Sequence, residues 1–123
     1  MANSRVSSGA GTYSYTIPNS EREYPDNSIY SSAFAREVGE VFGELEELLL
    51  RKHVDYGPKN ISESPGGPIN GLRVRIHDKV ARINNLYDKN VDDPQYESFE
   101  DSFKDLANYA IIALLVLRGK WDS

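Results

Sequence analysis

The stretch Asp101-Ser-Phe-Lys-Asp-Leu-Ala-Asn-Tyr-Ala110, continuing as Ile-Ile-Ala-Leu-Leu-Val-Leu117, constrains the fold more than any other part of the chain. It holds strong helix formers and neither Gly nor Pro, and it stops at Arg118-Gly119-Lys120, the chemistry of a helix C-terminus. From Leu106 onward nearly every side is apolar, which predicts burial on more than one face. Asp101, Asp105 and Asn108 nevertheless fall at i, i+4 and i+7 and share one stripe. Burying a carboxylate costs, to order of magnitude, several kcal/mol unless a cation or hydrogen-bond donors compensate. The chain is therefore expected to carry a counter-charge.

Two further helices are expected upstream. Ser31 or Ser32 can cap a helix from Ala33 to about Lys52, whose apolar stripe is Phe34, Val38, Val41, Phe42, Leu45, Leu48 and Leu49. Glu37, Glu40, Glu44 and Glu47 make a second stripe, which on this helix alone reads as its solvated face. Gly39 and Gly43 each weaken the helix by roughly 1 kcal/mol relative to Ala, a cost easier to understand if another helix packs closely there. Between Gly57 and Gly71 a run of Gly and Pro predicts a loop, with room to cover a ligand. The next helix is expected from Leu72 to Tyr87, burying Leu72, Ile76, Val80, Ile83 and Tyr87. Arg75, Lys79 and Arg82 align on another face, as the counter-charge, as an anion site, or as an exposed basic face. Asp88 to Tyr96 reads as a turn, and Glu97 or Ser98 starts the last helix.

Residues 1–30 lack either period and read as an extended arm, with Tyr13, Tyr15, Tyr24, Tyr30, Ile17 and Ile29 as sticky contacts. Such an arm packs on its own domain or embraces a neighbouring subunit. Nothing alternates with period two over a useful length, so the expected fold is all-α. It is a small bundle of three helices, or four if the arm or the 57–71 loop holds a short one, spanning residues 31–123.

At 123 residues and 39% hydrophobic content there is room for one small domain. The net charge of -5 argues against a nucleic-acid surface. The chain has no Cys and only His53 and His77, so a metal would sit among carboxylates, which suits Mg²⁺ or Mn²⁺. No apolar segment of signal-peptide length stands at the start, and the longest apolar run, Ala110 to Leu117, is too short for a bilayer. A soluble cytoplasmic protein is expected.

Glutamates on the first helix and Asp101 with Asp105 on the last could face one another, and such a cluster would repel unless divalent cations sat between them. With the Arg75, Lys79, Arg82 stripe, this suits attack of a metal-activated water on a phosphoanhydride. No Walker-type Gly-x-x-x-x-Gly-Lys-Ser/Thr sequence and no Ser nucleophile elbow is present.

Three blocks occur in order: His53-Val-Asp-Tyr-Gly57, Arg73-Val-Arg-Ile-His-Asp-Lys-Val-Ala-Arg82, and Glu97-Ser-Phe-Glu-Asp-Ser-Phe-Lys-Asp-Leu-Ala-Asn-Tyr-Ala110. Together they resemble the nucleotide-modification-associated domain 1 family, found largely in phages and bacteria. That family is in turn similar to the MazG-like all-α nucleoside triphosphate pyrophosphohydrolases. The resemblance covers roughly Glu40 to Trp121. It implies Glu-x-x-Glu on one helix and an acidic pair on a later one, binding Mg²⁺ for hydrolysis between the α and β phosphates. Glu44-Leu-Glu-Glu47 matches the first element in preference to Glu37-Val-Gly-Glu40. Asp101 and Asp105 stand at i, i+4 where the usual pattern is Glu-x-x-Asp. The resemblance further implies Lys79 and Arg82 at phosphates, Asn108 near the sugar or base, and Asp55 and Tyr56 shaping the nucleotide pocket.

The leading expectation is a Mg²⁺-dependent enzyme converting a (d)NTP to (d)NMP and pyrophosphate within a phage nucleotide pool. The alternatives are a module that sequesters a nucleotide without turnover, and an interaction protein whose Tyr-rich arm does the work. Related pyrophosphohydrolases assemble, and so short a three-helix chain would expose much apolar surface alone, so a homo-oligomer (dimer or tetramer) with shared pockets is expected.

Overall fold

A computed structural model describes residues 7–8, 12–13, 28–89 and 96–121. The architecture is all-α: α1 (Ala33–Tyr56), the short α2 (Lys59–Ser62), α3 (Pro68–Lys89) and α4 (Tyr96–Leu117). Most of the expected arm lies outside the described residues. Within it, β1 (Ser7–Ser8) pairs antiparallel with β2 (Thr12–Tyr13), Ser7 opposite Tyr13 and Ser8 opposite Thr12. The chain divides into two compact units, Met1–Val41 and Phe42–Ser123.

Each helix boundary has a local cause. Ser32 rather than Ser31 caps α1: its hydroxyl accepts from the Ala35 N–H at 3.1 Å and donates to the Ile29 carbonyl at 2.7 Å. The helix runs one turn beyond Lys52 and ends at Gly57, whose φ of 71° allows its N–H to reach the His53 carbonyl at 2.8 Å. The expected loop holds the short fourth helix, α2. α3 starts at Pro68, four residues before the expected Leu72, because proline at a first helical position gives up an N–H that has no helical partner anyway. α4 closes with Gly119 at φ 66°, its N–H on the Val116 carbonyl and the Lys120 N–H on the Leu115 carbonyl at 2.8 Å, a Schellman pair.

Within Phe42–Ser123, α3 and α4 form the main helix pair and α2 packs against α3. The buried apolar core among the described residues is small: Leu45, Ile61 and Leu72. Two polar side chains, Ser102 and Asn108, are buried beside it. Several expected core positions are exposed instead. Phe34, Val38, Val41 and Phe42 of the α1 stripe face solvent, as do Val80 and Tyr87 on α3. On α4 the stretch from Leu106, expected to be buried on several faces, is mostly half-buried, while Leu114 and Leu117 are more than half exposed. A Cβ placed on Gly39 or Gly43 meets nothing within 4 Å, so the close helix contact expected there is not made among the described residues. The described helices include none long and apolar enough to cross a membrane.

Gly71 is different, because a Cβ there would collide with the Ser64 side chain. Two stability outcomes follow. Leu72→Ala, at a site 1% exposed, is expected to lower the unfolding free energy by about 2–4 kcal/mol in urea denaturation. Gly71→Ala should cost about 1–2 kcal/mol despite a helix-propensity gain of about 1 kcal/mol. A stabilised Gly71→Ala protein, or a loss below about 0.5 kcal/mol for Leu72→Ala, would contradict this packing.

Candidate functional site

The C-terminal turns of α1 place Leu45, Leu49, Lys52, His53 and Tyr56 at spacings of three and four, so the face that starts at buried Leu45 continues to the helix end. On α4, Asp105, Asn108, Tyr109 and Ile112 recur at the same spacings. These two faces, with Gly57, α2, Arg75 of α3 and Trp121, enclose a cavity of about 340 Å³.

Its deepest polar group is Asn108, 7% exposed, whose Nδ2 donates to the Leu45 carbonyl at 3.2 Å. That bond orients the amide, because a carbonyl oxygen only accepts. Asn108 Oδ1 is then left buried without a hydrogen-bond partner, and so is His53 Nδ1. Leaving a buried polar atom unpaired costs about 1–3 kcal/mol. The His53 ring meets the Trp121 ring edge-on, with centroids 4.8 Å apart and planes at 74°. Trp121 is fixed in turn, its Nε1–H donating to the Pro58 carbonyl at 3.0 Å.

The charged wall is built around Asp105. Lys52 donates to Oδ1 at 3.0 Å and Lys79 reaches Oδ2 at 2.8 Å. Burial by itself raises the Asp105 carboxyl, but the hydrogen bonds from Lys79 and Lys52 outweigh it and hold the group below its ordinary value. Burial by itself lowers Lys52, and the bond to Asp105 overrides that and raises it. Lys79 is thus a counter-charge of the kind expected, joined by Lys52, which the stripe on α3 did not foretell. Arg75 and Arg82 satisfy other groups. The Arg75 guanidinium donates to the Asn60 carbonyl at 3.0 Å and to Ser64 Oγ at 3.3 Å, and Arg82 Nε donates to Ser102 Oγ at 3.2 Å.

Of the residues singled out in the sequence, the cavity brings together Tyr56, Arg75, Asp105 and Asn108. Tyr56 stands at its rim, mostly exposed, while Asp55, Lys79 and Arg82 are not among its lining residues. The proposed metal ligands are not gathered in one chain. Glu44, Glu47 and Asp101 are exposed, Lys104 bridges Glu44 at 3.2 Å and Glu100 at 2.9 Å, and Asp105 is held by its two lysines. Among the described residues no three carboxylate or imidazole groups lie close enough to hold a metal ion. Sequence reasoning missed Lys52, His53, Asn60 and Trp121 as cavity residues; for Lys52 and His53 the signal was their helical spacing from Leu45 and Leu49.

A family model described as nucleotide modification associated domain 1 matches residues 52–117. Neither the curated proteins nor the solved structures include a match. The matched span contains both α3 and α4, and it starts at Lys52.

Asp105→Asn should destabilise the protein by about 1–2 kcal/mol at pH 7, between the worth of an exposed ion pair and the cost of breaking a buried one. Because the Asp105 carboxyl is depressed, its contribution is present above the ordinary value of about 4 and is lost as pH falls through its lower folded value. Lys52 is raised, so its contribution holds to about pH 10.5 and disappears above it. Thermal unfolding followed by circular dichroism at pH 2.5, 7 and 9 checks this. A difference between wild type and variant as large at pH 2.5 as at pH 7 would contradict it.

Proposed function

The chain belongs to the nucleotide modification associated domain 1 family, and from that premise we propose that it binds a nucleoside phosphate in the cavity between α1, α2, α3 and α4. The observation that carries the reading is a cavity whose lining brings cationic side chains, Lys52 and Arg75, together with aromatic ones, Tyr56, Tyr109 and Trp121, and the polar His53 and Asn108. Ligand sites of this kind combine apolar walls with a few convergent polar groups. Trp121, Tyr109 and Tyr56 supply apolar and aromatic surface, and Lys52 and Arg75 supply positive charge for phosphate oxygens. In this reading Asp105, paired from behind by Lys79, keeps the Lys52 ammonium in place at the cavity wall. The word nucleotide in the family description agrees with that chemistry.

The protein acts as a homo-oligomer in this proposal. Leu45, Ile61 and Leu72 are the whole buried apolar core of the described residues, while Phe42, Leu50, Val54, Phe103, Leu114 and Leu117 are each more than half exposed. Apolar surface on that scale marks an interaction face.

Hydrolysis of a (d)NTP to (d)NMP and pyrophosphate with Mg²⁺, as in MazG-like enzymes, is the second reading. Its support is that Glu44, Glu47 and Asp101 all face solvent and that no ion pair engages Glu47 or Asp101 among the described residues. The described residues of a single chain do not fit the metal, since Asp105 is committed to Lys52 and Lys79, so this reading depends on copies assembling.

The test incubates the protein with each common ribo- and deoxyribonucleoside triphosphate, with Mg²⁺ or EDTA. Equilibrium dialysis gives the bound fraction and chromatography gives the products. Saturable binding of about one nucleotide per chain, weakened at least about tenfold by Lys52→Ala, is expected. Monophosphate and pyrophosphate that vanish with EDTA would move the hydrolytic reading to first place. No saturable binding of any nucleotide would overturn both. Light scattering at micromolar concentration should give more than the 13.8 kDa of one chain.

A further inference from the structure

Trp121 is the one side chain on the cavity lining that no helix carries. α4 ends at Leu117, and the family match ends there too, so the residue that completes this wall lies beyond both. Backbone ties continue as far as Lys120, whose N–H reaches the Leu115 carbonyl at 2.8 Å. The backbone of Trp121 makes no such bond among the described residues. Rotation about the Lys120–Trp121 link therefore moves the indole without unwinding α4. Gly119 and Lys120 are exposed, which leaves room for that rotation.

The indole is held lightly. Its Nε1–H donates to the Pro58 carbonyl at 3.0 Å, and its ring meets His53 edge-on, with centroids 4.8 Å apart. The same carbonyl already accepts two amides of α2, from Ile61 at 3.1 Å and from Ser62 at 3.0 Å. A carbonyl oxygen has two lone pairs, so the indole is a third donor on an acceptor that is already full. Its departure leaves no orphaned group, because Pro58 keeps both amides and the freed N–H takes water. The ring contact adds a modest attraction. Other wall residues are tied more firmly: displacing Asn108 breaks its bond to the Leu45 carbonyl, and displacing Arg75 breaks bonds to both Asn60 and Ser64.

Where Trp121 is fastened gives this looseness a use. Gly57, at φ 71°, and Pro58 make the corner between α1 and α2, and Gly57 and Trp121 both line the cavity there. With the indole swung off Pro58, the cavity loses its wall at that corner. Resting on the proposal that this cavity takes a nucleoside phosphate, we infer that Trp121 is a gate: it leaves the Pro58 carbonyl to admit the ligand past Gly57 and closes once the ligand is seated. Opening then limits entry, and closure slows escape. A fixed wall does the second alone.

The experiment immobilises the full chain and passes each common ribo- and deoxyribonucleoside triphosphate over it, reading association and dissociation rate constants by surface plasmon resonance. Wild type is compared with Trp121→Ala and with Trp121→Phe, which keeps a ring to set against His53 and loses the indole N–H; circular dichroism checks that each is folded. For the nucleotide that binds, Trp121→Ala should raise association about three- to tenfold and dissociation at least about tenfold. Trp121→Phe should raise association by a similar factor and dissociation by less. Faster dissociation with association unchanged or slower in both variants is the behaviour of a fixed wall, and it overturns the inference while leaving nucleotide binding intact. Dissociation unchanged in both variants overturns it as well. If no nucleotide binds the wild type, the underlying nucleotide reading fails, and the inference fails with it.

Discussion

Asp105 is the one side chain that joins three helices through ion pairs among the described residues. It sits on α4 and takes one lysine from α1 and another from α3, Lys52 at 3.0 Å and Lys79 at 2.8 Å. Only three apolar side chains, Leu45, Ile61 and Leu72, are buried among the described residues, so hydrophobic burial between α1 and the α3–α4 pair is modest. Polar ties across the helices supplement it: the Asp105 cluster, Lys104 to Glu44, and Asn108 to the Leu45 carbonyl. Each is directional, so together they fix the rotation of α1 about its axis more sharply than an apolar seam would.

The same ties explain the site. Turning α1 so that Lys52 meets Asp105 carries His53 to Trp121 and Leu45 to Asn108, and the cavity is the space these contacts leave between them. The opposite consequence is exposure. With α1 held through polar contacts, Phe42, Leu50 and Val54 remain outside, and the proposed assembly of copies would cover them. Glu44 and Asp105, expected to share a metal, are each neutralised by lysine within the chain, so a carboxylate centre would have to be built against existing ion pairs.

Much of the fold was legible in the sequence because helix boundaries are local events. Gly119 after an apolar run gave the end of α4, and Ser32 gave the start of α1 as one of two adjacent serines. Pro68 misled because proline was read as a breaker, although at a first helical position it is a starter. The core was less legible. Periodicity shows which residues share a face but not whether the same chain covers that face, and Phe34, Phe42 and Leu117 are exposed although their pattern marks them as core. In the site, a counter-charge from the Arg75, Lys79, Arg82 stripe was one of the readings that charge and spacing left open, and Lys79 supplies it to Asp105, whereas Lys52, Trp121 and the orphaned atoms of His53 and Asn108 depend on how helices distant in sequence come together.

Whether a nucleotide occupies the proposed cavity beside Asn108 is read by two-dimensional amide NMR of the labelled chain during nucleotide addition. The indole N–H of Trp121, the one tryptophan in the sequence, and the side-chain amide of Asn108, assigned through Asn108→Leu, are probes on the cavity lining. Both are expected to move together with the Gly57 backbone amide and to saturate at one nucleotide per chain. Shifts confined to the exposed acidic face of α1, with Trp121 and Asn108 unmoved at saturation, would contradict it.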